Sequence, residues 1–257
     1  MATAPVKANL GFRWHSRGHW STREDRLPSL VWLAFIWSGM LAGFGLDASR
    51  FLHGNPPLLL HVHAFVFTVW LFILSAQVTL VVTNRVALHR RLGWFAAAWV
   101  VPMAILGPWA ALTAKGPIPS GPPSPQFLSI QFGGLIAFLA FIAWGLTLRK
   151  NPAAHKRIMI LSTIAIQDPG FGRLAMILWP TEPTSLLGWF LWNYAANVVL
   201  LALMAAWDLY RGRLMKQLVF GAAALLVFEY LLVFLYFWTP WKVFTTSLVA
   251  SWTSLVR

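Results

Sequence analysis

Seven apolar stretches, each near the length a helix needs to cross ~30 Å of hydrocarbon, dictate what this chain can fold into. They run over 28–46, 58–83, 92–113, 127–148, 158–179, 186–207 and 218–238. Inside lipid every backbone N–H and C=O must be satisfied within the protein, so such stretches become helices. The expected fold is all-α, an integral membrane bundle of seven transmembrane helices forming one domain over 28–238. Composition agrees: 58% of the residues are apolar and 11% charged, against ~25% charged in a soluble domain. The second stretch exceeds the required length and is expected to tilt or to project beyond the lipid.

The basic residues orient this bundle. The N-terminal tail, 84–91, 149–157 and 208–217 together hold fifteen of the 20 Lys and Arg, the alternate segments hold four, and Arg173 lies inside a stretch. By the positive-inside rule the N-terminus is cytoplasmic and the C-terminus outside. The net charge of +13 is thus a topology signal and a contact for lipid phosphates, not a nucleic-acid footprint. The expected location is the bacterial inner membrane, multi-pass, with the first stretch acting as an uncleaved anchor.

The flanks follow the same logic. Residues 1–27 form a basic cytoplasmic or interfacial tail, in which Trp14 and Trp20 mix with Arg and His. His15 and His19 have the i, i+4 spacing of metal ligands, but their arginine-rich surroundings mark them as part of that tail, and no metal site is assigned. Over 239–257, Trp241, Phe244, Leu248, Trp252 and Leu255 recur at helical spacing, which predicts an outer amphipathic helix too short to cross. Five prolines over 115–125 predict a stiff, extended cover on the outer face. With no Cys, disulfides, thiolate nucleophiles and iron–sulfur clusters are excluded.

Polar residues at bilayer depth are expensive and therefore informative. Gln167-Asp168-Pro169-Gly170-Phe171-Gly172-Arg173 interrupts the fifth stretch. Asp168 before Pro169 reads as an N-cap followed by proline at the first helical position. That predicts two half-helices, about 158–167 and 169–179, which form either a structural kink or a substrate site of the kind broken helices build. Arg173 lies ~140° around a helix from Asp168 and ~7.5 Å further along, so it is expected to pair with Glu229 or to snorkel outward. Glu229, in the apolar seventh stretch, needs a proton or a partner. Asn193 and Asn197 share one face of the sixth stretch. Asp168, Arg173, Asn193, Asn197 and Glu229 together make the expected buried polar site.

Four histidines are the other candidates. His89 and His155 each open a stretch on the basic side and are each followed by two basic residues. They are read either as axial ligands of a haem b whose propionates meet those residues, or as interfacial caps that bind lipid phosphates. His61 and His63 lie near the outer end of the second stretch, ~200° apart on a helix, so only one of them faces the bundle, read either as a metal or haem ligand or proton carrier, or as a histidine hydrogen-bonded within the bundle. A weak repeat relates Asn84-Arg-Val-Ala-Leu-His89 to Asn151-Pro-Ala-Ala-His155 and suggests two copies of one helical hairpin.

The run His61-Val-His63-Ala-Phe-Val-Phe-Thr-Val-Trp70, Gln77, His89-Arg-Arg-Leu-Gly-Trp94 and Ala154-His155-Lys-Arg-Ile-Met159 resembles a group of uncharacterised bacterial polytopic inner-membrane proteins. More distantly, the placement of His at helix ends is similar to transmembrane b-type cytochromes and to small haem–copper oxidase assembly proteins. The resemblance covers residues 61–159 and implies a bacterial helical bundle. No helix carries two His separated across the bilayer, which departs from a di-haem arrangement. A retinal protein is set aside because the seventh stretch has no Lys for a Schiff base.

Three functions are compatible with these residues. One is a b-type haem-binding redox component using His89 and His155. Another is a non-catalytic accessory subunit of a larger respiratory or photosynthetic membrane complex, with other subunits and lipids as partners. The third is a proton-coupled small-molecule transporter using Asp168, Arg173 and Glu229. No nucleophile–base pair points to an enzyme.

Overall fold

The computed structural model describes residues 14–15, 25–48, 53, 56–114, 124–212 and 214–255. The α-helices run α1 (Arg26–Leu46), α2 (Leu58–Val82), α3 (Val86–Ala114), α4 (Leu128–Thr147), α5 (Pro152–Ile164), α6 (Asp168–Leu178), α7 (Leu186–Tyr210), α8 (Lys216–Phe237) and α9 (Thr239–Leu255). Short 3-10 turns, Pro125–Phe127 and Leu148–Lys150, flank α4. His19, most of the tail 1–27 and the proline-rich segment 115–123 lie outside the described residues, as does the side chain of His15.

The protein is a helical, apolar bundle. Six of its helices (α1, α2, α3, α4 with its flanking turns, α7 and α8) are long and apolar enough to cross a membrane. The fifth apolar stretch departs from a continuous crossing: α5 has 13 residues and α6 has 11, with 165–167 between them. Proline explains the break, because Pro169 has no N–H to offer the carbonyl of Ala165 and its ring crowds that carbonyl. The chain tightens instead, with Ile166 N–H on the Thr163 carbonyl at 3.1 Å and Gln167 N–H on that of Ile164 at 3.3 Å. Asp168 is not the expected N-cap. It lies in the first turn of α6, behind Gln167, and its carboxylate reaches across to α7.

The described parts of the basic segments meet at one end of the bundle. Asp25 contacts Lys156 and Arg157, Arg26 donates to Asn84 Oδ1, and the His89 and His155 rings lie edge to face. A two-residue parallel ladder pairs β1 (Trp14–His15) with β2 (Leu214–Met215) at the same end. At the opposite end Trp241 donates to the Gln126 carbonyl at 2.9 Å and Trp192 to that of Trp179 at 3.3 Å.

Glycine sets the closest helix crossings. Gly39 and Gly43 are four apart on α1 and face Phe171 and Gly170 of α6; a Cβ on Gly43 would collide with the Gly170 carbonyl oxygen. Small residues at this spacing let membrane helices pack backbone to backbone. Gly134 of α4 does the same at the helix break, where an added Cβ would lie 2.8 Å from the Ala165 oxygen. In the core, Trp70 of α2 stands edge-on to Phe138 of α4 at 5.0 Å and donates to Thr163 Oγ1 of α5 at 3.2 Å.

The turns before His89 and His155 are not copies of one another. Asn84 takes φ 62°, with Arg85 N–H on the Leu80 carbonyl and Asn84 N–H on that of Val81, a Schellman stop for α2. Asn151 instead starts α5, its Oδ1 accepting from Ala154 N–H at 3.4 Å, as an N-cap does. The C-terminal segment is a helix, but its buried positions are Thr245 and Val249, while Phe244 and Leu255 face outward.

Candidate functional site

The polar core forms where the broken helix meets α7 and α8. Asn197 lies thirteen residues before the end of α7, Glu229 thirteen after the start of α8, and the break thirteen after the start of α5. At ~1.5 Å per residue all three lie ~20 Å from the basic end. Gln167, Asp168, Tyr194, Asn197 and Glu229 are all buried there.

Asn197 is the hub. Its Nδ2 donates to Asp168 Oδ1 at 3.0 Å and to Glu229 Oε1 at 2.7 Å. Its Oδ1 accepts from Gln167 Nε2 at 2.7 Å. An amide nitrogen has two hydrogens, so both are committed, one to each carboxylate. That network fixes the amide orientation, because a flip would turn its carbonyl onto two acceptors. Around the hub, Gln167 Oε1, Tyr194 Oη and Glu229 Oε2 are buried and find no hydrogen-bond partner among the described residues. Leaving such atoms unsatisfied costs ~1–3 kcal/mol each.

The remaining residues of the expected site lie elsewhere. Arg173 does not reach Glu229. It donates to Asp47 Oδ2 at 3.1 Å and to the Pro169 carbonyl at 2.6 Å, with its guanidinium over the Phe44 ring. Asn193 donates to the Trp189 carbonyl of its own helix at 2.9 Å, so it shares the face of Asn197 but not its network. Two carboxylates thus share one amide, and among the described residues no cationic side chain is bonded to either. Charge balance in this low-dielectric setting calls for a proton or a bound cation.

The histidines fall at the two ends of the bundle. His61 is exposed and contacts the Pro57 carbonyl at 3.3 Å. His63 is half-buried against Phe67, with ring centres 4.3 Å apart and Nδ1 unpartnered. At the basic end, His89 and His155 stand edge to face at 6.3 Å between centres. Their basic followers differ from expectation. Arg157 is fully buried, donating through Nε to Asp208 Oδ2 at 3.0 Å and through Nη2 to Oδ1, and through Nη1 to Asp25 at 3.3 Å. Lys156 also pairs with Asp25, at 2.9 Å. Arg157 is therefore not available to lipid phosphates or propionates, whereas Lys156 is partly exposed and Arg90 and Arg91, after His89, are exposed.

This ion network sits at the interface end and has electrostatic consequences. Burial pushes the Asp25 carboxyl up, but Lys156 and Arg157 outweigh it and hold the group below the ordinary carboxylate range. For Lys156 burial dominates: it brings the ammonium down to about 8, although Asp25 opposes the shift.

Gln167 and Tyr194 join the polar core without having stood out in the sequence. Gln167 carries no charge and Tyr194 lies in an aromatic-rich stretch, so depth alone distinguishes neither. The signal that could have found Tyr194 is its position three residues before Asn197, on the same helical face. No protein-family model, curated protein or solved structure matches this chain.

Proposed function

We propose that this protein is a proton-coupled small-molecule transporter of the bacterial inner membrane. One observation carries the reading: Asn197 divides its two amide hydrogens between Asp168 and Glu229 at a helix break deep in the bundle. Asp168 and Glu229 are the proton-carrying pair, and Asn197 holds their near oxygens in register. The unpartnered Gln167 Oε1, Tyr194 Oη and Glu229 Oε2 offer two acceptors and a hydroxyl to a small polar substrate. Broken helices at this depth are how membrane carriers bring backbone and side-chain polar groups to a substrate.

On this reading α5 and α6 together make a seventh crossing, since α5 begins at the basic end and α6 ends beside Trp192 at the other. The basic end then faces the cytoplasm by the positive-inside rule.

Reconstitution into liposomes tests the proposal. A panel of small amines, polyols and amino acids is presented with the lumen buffered and a pH gradient imposed across the membrane. The transporter reading predicts accumulation of at least one compound with an accompanying proton, abolished by Asp168→Asn. Accumulation insensitive to both the pH gradient and Asp168→Asn would overturn it.

A further inference from the structure

A second set of polar groups lies at the basic end, ~20 Å from the carboxylates by helix rise, and the transporter reading does not use it. His89 comes from α3 and His155 from α5, with ring centres 6.3 Å apart and planes at 82°. Among the described residues no hydrogen bond joins the two rings. His155 Nδ1 lies 2.7 Å from the Gly145 carbonyl oxygen. A carbonyl only accepts, so Nδ1 carries the hydrogen, and the neutral ring keeps its lone pair on Nε2. Metal-binding histidines are commonly held this way, by an outer contact that fixes the tautomer and the ring orientation. Among the described residues His89 Nδ1 is buried without a hydrogen-bond partner, and so is Oε1 of Gln77, whose backbone lies against the His89 ring and whose amide lies beside Gly93, one turn beyond His89.

A metal bound at ~2.0–2.1 Å by one nitrogen of each ring would hold the ring centres a little over ~6 Å apart, which the observed 6.3 Å separation matches. What else would complete the site is constrained by the sequence. There is no Asp or Glu from 48 to 167 and no Cys in the chain. Among the described residues no three His, Cys, Asp or Glu groups come together as a metal site. A bare divalent ion would therefore have the two histidines and at most the Gln77 amide oxygen, all neutral, where it normally takes four ligands. Exposed Arg90, Arg91, Arg149 and Lys150 would repel it further. A metal that brings its own equatorial donors and its own negative charge meets neither difficulty.

We infer that His89 and His155 are the two axial ligands of an anionic iron–tetrapyrrole, with exposed basic residues of the same end available to its carboxylates. Without cysteine no thioether link can form, so the group is held non-covalently, as b-type haems are. The inference is independent of the carboxylate site and stands or falls without it.

The test uses the full-length protein purified in mild detergent from cells supplied with a haem precursor. Three quantities are measured on it: the pyridine haemochrome, the dithionite-reduced minus oxidised spectrum, and bound metals by mass spectrometry. The expected result is iron and tetrapyrrole in equal amounts, with a six-coordinate low-spin spectrum. His89→Gly and His155→Gly should each lower haem occupancy at least ~10-fold, with added imidazole restoring the spectrum. Retention of a monodisperse elution profile by each variant shows that the loss is not unfolding; if a variant aggregates, His155→Met replaces it, with altered ligation as the expected signature. Several outcomes would overturn the inference: a colourless protein that also fails to take up added haemin, a spectrum indifferent to both histidines, or a stoichiometric metal without tetrapyrrole.

Discussion

Arg157 and Asp208 form a two-point ion pair that is closed to solvent, tying α5 to α7 at the basic end of the bundle. Breaking a buried pair by removing one partner strands a charge and costs ~3–5 kcal/mol, whereas an apolar pair of similar volume is often tolerated. Asp208→Ala should therefore destabilise the protein by about that amount in a reversible unfolding assay. The double change Arg157→Met with Asp208→Leu should recover most of the loss. The recovery depends on Asp25, which keeps Lys156 as its partner in the double variant.

The same cluster predicts a pH dependence with two signs. The Asp25 carboxyl lies below its ordinary range when folded, so the stability it contributes is present above the unfolded value of ~3.9 and lost as pH falls through the folded value. Lys156 runs the other way. Its folded value of about 8 lies below the ordinary 10.5, so the unfolded chain binds more protons between the two, and stability rises with pH across that window. Thermal midpoints measured from pH 7 to 10 should climb in the wild type and flatten in Lys156→Met.

Gly43 is the tightest point between α1 and α6. A Cβ there meets the Gly170 carbonyl, which is backbone and cannot swing aside. Gly43→Val should cost at least ~1–3 kcal/mol, the range for overpacking. Gly45, two residues on, has open space around it. Gly45→Val, which adds the same side chain at a helix propensity similar to that of glycine, should leave the unfolding midpoint nearly unchanged, which makes it the matched control.

Asn197→Leu tests the hub separately from the charges. Removing the amide leaves Asp168 Oδ1, Glu229 Oε1 and Gln167 Nε2 without the partners they have now. Each orphaned group costs ~1–3 kcal/mol, so the variant should be among the least stable single changes in the core. Combining it with Asp168→Leu and Glu229→Leu should restore part of the loss, because an apolar replacement has nothing left to satisfy. A combined variant no more stable than Asn197→Leu alone would show that these groups do not act as one network.

How far the sequence could be read depended on the range of each interaction. Helix positions followed from hydropathy, which is local, and Asp168, Asn197 and Glu229 stood out because a polar group at bilayer depth is anomalous wherever its partner lies. The kink was legible in Pro169, although its position, with Asp168 inside α6 instead of capping it, depends on what α7 offers the carboxylate. Partners were not legible. Arg157 sits in a basic loop and reads as a lipid contact, yet its carboxylates come from Asp25 and Asp208, far away in the chain. Arg173 likewise finds Asp47 and not Glu229. The Gly39 to Gly43 spacing was a local signal for the α1 crossing, available but easily lost among eighteen glycines.

The most direct test of the account asks whether the carboxylates at the helix break take up and release a proton. Infrared difference spectra of the protein in lipid, recorded across a pH jump, report protonated carboxyl groups through their carbonyl stretch. A band that titrates, weakens in Asp168→Asn and in Glu229→Gln, and vanishes when both are changed is the predicted result. A band unchanged by both substitutions, or no titrating carboxyl at all, would contradict a proton-carrying pair at Asn197.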